Sequence, residues 1–184
     1  MKTKDLNEHF QKYYRPNHLT IVVVGAIKKN RLRRLIEKAY GDIPKGKEIS
    51  RKVEAEPRQK SERRIELRDE VAAEQFLHGY HVSEAGHEDS YALDVLSNIL
   101  FFGASSRVYK ELVEKQDLVK VISGIAFTPT FPGLFMINAT MKNGLKSEVA
   151  EAELDKVFYQ VQTKGVSKQE VEVAVRQLKV ELLS

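Results

Sequence analysis

The stretch from Ser90 to Met141 constrains the fold most, because it holds the densest apolar patterning, the one glycine-serine break and the two longest strand-like runs. Ala92, Val95, Leu96, Ile99 and Leu100 recur at three and four residues, which puts one apolar stripe along a helix. Phe101-Phe102-Gly103 ends it. Ser105 and Ser106 then stand where a second helix through Val108, Leu112 and Val113 needs its cap, since a hydroxyl accepts from the unpaired N–H groups of a first turn. Leu118 to Phe127, rich in Val and Ile, reads as a strand. After Pro129 and Pro132-Gly133, Phe135, Ile137, Ala139 and Met141 alternate with Leu134, Met136, Asn138 and Thr140, again the period of a strand.

The flanks add four helices and three strands. Leu6 to Tyr14 reads as a helix end, stopped at Arg15-Pro16-Asn17 because proline disfavours helical geometry in the residue before it. His18 to Gly25 follows as a nearly unbroken apolar run, which predicts a strand buried on both faces. Leu32, Leu35, Ile36 and Ala39 mark a helix from about Asn30 to Tyr40, with Gly41 as its stop. From Pro44 to Ser61 only Ile49 and Val53 are apolar, and the composition is that of a linker. Arg63 to Arg68 and Glu74 to Val82 alternate as short strands, Glu84 to Glu88 is a polar loop, and Asn143-Gly144 is a turn. Ala150, Leu154, Val157, Phe158 and Val161 stripe one helix, closed by Gly165. Ser167 and Glu170 have the spacing of a capping box for the next, striped by Val171, Ala174, Val175, Leu178 and Leu182. Neither the first helix nor the last has a complete set of end signals, so both chain ends read as cuts through a longer sequence.

Composition excludes several classes of protein. With 42% hydrophobic and 30% charged residues over 184, the chain is globular, with enough length for one sizeable core or two small ones. It has no run of eighteen apolar residues, and Met1-Lys2-Thr3-Lys4-Asp5-Leu6 is too polar for a secretory signal, so no membrane span is expected. The absence of Cys removes disulfides and thiolate metal sites but leaves the compartment open: soluble, and periplasmic or cytoplasmic if bacterial. The net charge of +4 is a weak bias. Lys28, Lys29, Arg31, Arg33 and Arg34, and the run Lys45 to Lys60, read as a solvated helix face and linker, so no nucleic-acid partner is expected.

Candidate chemistry is thin. His78 and His81 lie three apart on an expected strand and so face opposite ways; His81, His87 and Glu88 or Asp89 could gather round an ion, but no spacing forces it. Neither His-Glu-x-x-His nor His-x-x-Glu-His occurs. Phe102 to Arg107 offers an anion the N–H groups of a helix start and one arginine, yet lacks the glycines and Gly-Lys-Ser/Thr of a phosphate loop, which favours a structural turn. Asp69 with Glu70 and Glu151 with Glu153 sit among other charges and receive no role.

Two segments carry a resemblance. Phe10-Gln11-Lys12-Tyr13-Tyr14-Arg15-Pro16-Asn17-His18 with the apolar run to Gly25, then Tyr40-Gly41-Asp42-Ile43-Pro44, is similar to a segment of the pitrilysin and mitochondrial-processing-peptidase-like zinc metallopeptidases. Gly79-Tyr80-His81, His87 to Leu96, and Gly103-Ala104-Ser105-Ser106-Arg107 to Val113 resemble the next domain of the same family, in the same order. The resemblance implies an α+β module, a mixed or antiparallel sheet covered by helices on one face. Residues 1–45 would be the last strand and helix of a preceding zinc-bearing module, 46–61 a linker, and 62–184 the non-catalytic, "inactive" domain. The family's zinc is held by His-x-x-Glu-His and a downstream glutamate, so zinc belongs to the parent protein and none to this chain. Where some members carry an Arg and a Tyr seven residues apart that hold substrate, this chain has Val113 and Lys120.

The expected function is therefore that of a non-catalytic domain in a zinc peptidase, a chamber wall and packing surface without proteolytic activity of its own. Its expected partners are the zinc-bearing domain and the parent's peptide substrate. No catalytic, cofactor-binding or metal residue is assigned, since nothing here lowers the pKa of a bound water. The alternative is an assembly or scaffolding subunit whose parent lacks the zinc motif. A strand at Leu19 to Val24 without its native sheet would pair with another copy or fold back on its own domain, so self-association of the fragment is expected.

Overall fold

The computed structural model describes residues 2–49 and 54–183. The chain divides into two compact units, residues 1–65 and 66–184. Of the expected linker, residues 50–53 lie outside the described residues, as does Ser184 at the expected cut.

The first unit holds α1 (Thr3–Tyr13), a 3-10 turn (Pro16–His18) and α2 (Lys29–Tyr40). Both helices are amphipathic, yet none of the described residues of this unit is buried. The expected strand His18 to Gly25 is a correction: Pro16 to His18 form the 3-10 turn and the apolar run beyond them pairs with no strand among the described residues, leaving Val24 92% exposed. An apolar run becomes a strand only when a neighbour takes its N–H and C=O groups, and this unit offers none. What the turn does fix is the segment after α2. Asn17 Oδ1 accepts from the Gly46 N–H at 2.7 Å and Asn17 Nδ2 donates to the Gly46 carbonyl at 3.2 Å, while His18 Nε2 meets the Lys47 carbonyl at 3.0 Å.

The second unit is an α+β domain with β1 (Gln75–Val82), α3 (Glu88–Phe101), a π-helical turn (Tyr109–Lys115), β2 (Val119–Phe127), β3 (Gly133–Met141), α4 (Ser147–Lys164) and α5 (Lys168–Leu183). Arg63 to Arg68 is not a strand, a second correction; Ile65 and Leu67 are exposed. The sheet is antiparallel with β3 in the middle, order β1-β3-β2. Alternation on β3 sends Phe135, Ile137, Ala139 and Met141 to one face, opposite Phe76 on β1 and Ile122 and Ala126 on β2. Leu100 of α3, Val108 and Leu112 of the π-turn, and Ala150, Leu154 and Val157 of α4 close over that face as one core.

The second expected helix also differs in kind. From Tyr109 to Lys115 the backbone winds as a π-helix, and the Gln116 N–H closes it on the Glu111 carbonyl at 3.0 Å. Ser106 caps nothing; its hydroxyl donates to the Gly103 carbonyl at 2.8 Å. The start of α4 is capped from outside, by Glu74, whose Oε2 accepts from the Ser147 N–H at 2.9 Å.

Gly124 shows how tightly α3 lies on the sheet. A Cβ there would fall 2.3 Å from the Phe101 ring, which itself packs 6.1 Å from the ring of Phe135. Gly124→Val is expected to destabilise the domain by about 1–3 kcal/mol through overpacking, read as a lower urea midpoint; an unchanged midpoint would show that Phe101 has room to move.

Candidate functional site

Two features could carry function: the turn around Arg107 and the face of the sheet opposite the core. At the turn, Arg107 does not await an anion. Its Nε donates to Glu170 Oε1 at 2.6 Å and its Nη2 to Glu170 Oε2 at 2.8 Å, and Nη2 also reaches the Gly165 carbonyl at 3.1 Å. Glu170 meanwhile closes the capping box of α5, accepting from the Ser167 N–H at 2.7 Å and the Ser167 hydroxyl at 2.8 Å, while its own N–H donates to Ser167 Oγ at 3.2 Å. The two-pronged guanidinium contact holds the Glu170 carboxyl down at about 2, with the Ser167 donors adding to it against partial desolvation, and Arg107 is raised in turn. Phe102 to Arg107 is thus a structural clasp between the end of α3 and the start of α5.

The open sheet face is built by the complementary set of strand positions. Cross-strand register aligns Gln75, Thr140 and Val121 in one row, Leu77, Asn138 and Ser123 in the next, then Gly79, Met136 and Ile125, and finally His81, Leu134 and Phe127. Leu77 is 68% and Ile125 57% exposed. None of the twelve side chains in these rows is Asp, Glu, Lys or Arg.

The histidines are dispersed. His78 points to the core side, with Nε2 3.5 Å from Glu151 of α4 and its ring against Phe76 and Tyr80. His81 lies on the open face. His87 caps α3, its Nδ1 accepting from the Asp89 N–H at 3.2 Å. No group of three or more His, Asp or Glu among the described residues is arranged to hold a metal ion, and His81, His87 and Glu88 or Asp89 do not converge. These residues do not fit a zinc ion, and no step of chemistry is derived through one. Val113 packs against the core, and Lys120 donates to Asn143 Oδ1 at 2.6 Å. Asp69, Glu70 and Glu153 gather into no shared site. No helix among the described residues is long and apolar enough to cross a membrane.

With this geometry in hand, comparison with known proteins is decisive. The family model of the peptidase M16 inactive domain matches residues 1–178. The chain belongs to that family. The peptidase M16 inactive domain seen here is similar to the zinc protease PqqE of Helicobacter pylori, 28% identical over 154 residues, covering 82% of this chain and 35% of that protein. Its fold matches the crystal structure of a protease from Helicobacter pylori with a TM-score of 0.80 at 24% identity, over 100% of this chain and 45% of the other. It also matches the peptidase M16 inactive domain from Pseudomonas fluorescens, with a TM-score of 0.70 at 21% identity, over 97% and 43%. The chain spans less than half the length of these relatives.

Sequence reasoning found the capping box but not the arginine that completes it, since Arg107 and Glu170 lie 63 residues apart. The depressed Glu170 carboxyl, at about 2 against an ordinary 4.5, contributes stability that is fully present above pH 4.5 and is lost as pH falls towards 2. Arg107→Ala is expected to cost about 1–2 kcal/mol at neutral pH, since the pair is only partly shielded from solvent, and to flatten the decline below pH 4.5. Urea unfolding of both proteins across that range measures both effects; identical slopes would remove the pair as the cause.

Proposed function

We propose that this chain is the non-catalytic part of a longer zinc peptidase, in which it forms one wall of a chamber around an extended peptide and packs against the zinc-bearing module. In that arrangement residues 1–45 are the last strand and helix of the preceding module, 46–61 connect, and 62–184 form the wall. The observation that carries this reading is the asymmetry of the sheet: one face sealed by helices and a single core, the other open and free of charged side chains. A wall that chemistry does not use has no need of ligands or bases. The first unit supports the same reading, because two amphipathic helices without a buried residue call for an apolar surface to rest on. Zinc, supplied by the other module, would activate water there; this chain's residues contribute surface.

The test is zinc content and cleavage of an unstructured peptide, measured for this chain and for the longer protein. No zinc and no cleavage here, against zinc-dependent cleavage by the longer protein, is the expected result. Stoichiometric zinc in this chain would overturn it, and a longer protein without His-x-x-Glu-His would make the whole a scaffolding subunit instead.

A further inference from the structure

We propose that the open sheet face selects the class of peptide the chamber takes: extended segments with apolar side chains and none charged over about four residues. This rests on the chamber-wall reading above and adds a specificity to it.

Size chooses the kind of occupant. Three strands at about 4.8 Å spacing, each of eight or nine residues at about 3.4 Å rise, make a face of roughly 400 Å². A stable protein partner covers about 800 Å² on each side, twice what the face offers, whereas a single extended peptide fits within it. Spacing supports the same occupant. Val121, Ser123, Ile125 and Phe127 repeat along β2 every second residue, about 6.8 Å apart, the interval at which an extended peptide presents its own alternate side chains.

Charge then sets the class. The chain carries 30 Lys and Arg and 26 Asp and Glu, yet none of them stands in the four rows. A glutamate or lysine of the peptide pressed on Leu77, Ile125 or Phe127 would shed water and find no opposite charge, which disfavours it. Leucine, valine or phenylalanine at the same place would remove apolar surface from water on both sides. Asn138, Ser123 and Thr140 lie along one end of the face and leave room for an amide or hydroxyl among the apolar side chains.

The experiment uses three capped, labelled peptides on one scaffold whose central four residues are apolar, glutamate or lysine. Binding to this chain is followed by anisotropy, and cleavage by the longer protein is followed as kcat/KM. The apolar peptide is expected to be preferred by about tenfold or more over either charged one. Ile125→Glu should erase that preference and favour the lysine peptide, whereas Tyr159→Glu, on the outer side of α4, should leave it unchanged. Equal treatment of the three peptides, or equal behaviour of wild type and Ile125→Glu, would overturn the proposal. Concentration-dependent dimerisation that blocks all three would do so as well, by giving the face to a second copy. If the longer protein cleaves all three peptides equally, the specificity fails while the chamber reading stands. If it neither binds zinc nor cleaves, the chamber reading fails whatever this chain binds.

Discussion

The middle strand β3 governs the second unit, because both of its neighbours are hydrogen-bonded to it and inherit its alternation. Phe135, Ile137, Ala139 and Met141 commit one face to the helices, and the register then fixes which side chains of β1 and β2 join them. A slip of one residue would exchange core and surface over the whole sheet. The same constraint writes the open face. Leu77, Ile125 and Leu134 are exposed because their neighbours in sequence are needed beneath α3 and α4. Core and wall are two readings of one alternation.

Helices can cover that core only if their connections hold, and here a charge pair acts on geometry as much as on energy. Arg107 leaves the turn after α3 and grips Glu170 with two prongs while touching the Gly165 carbonyl, so the turn between α4 and α5 is fixed from three directions. A lysine could supply the charge but not two parallel N–H bonds in one plane. Ala174, one turn further along α5, is buried next to this clasp. The cluster that first suggests an anion site is thus satisfied from within, and the chain's polar chemistry is spent on joining its helices.

The parts of the fold legible in sequence are those whose pattern carries its own context. α3, α4 and α5 show stripes at helical spacing, and β1, β2 and β3 show alternation bounded by Gly and Pro. The runs at Leu19 to Val24 and Arg63 to Arg68 had the same composition as strands, but a strand exists by virtue of its neighbour, and composition does not supply one. The π-turn was read as an ordinary helix because Val108 and Leu112, four apart, suit either winding until the Glu111 carbonyl is seen to accept from Gln116. Of the candidate site, alternation revealed that two kinds of face exist. Which one the helices cover follows from three-dimensional packing, as does the meeting of Arg107 with Glu170.

The two units lack opposite things. The second has a core and an open neutral face; the first has apolar helices and an apolar run with no core at all. A chain evolved to stand alone would be expected to turn Val24, Phe10 and Leu35 inward, because burying such side chains is the main favourable term in folding. Their exposure here, together with family members more than twice as long, makes sense if the cover is supplied by another part of a larger molecule. The same reasoning accounts for a wall without catalytic groups. A domain whose partner holds the metal is free to spend its sheet on shape and on the absence of charge, and those are the properties its open face retains.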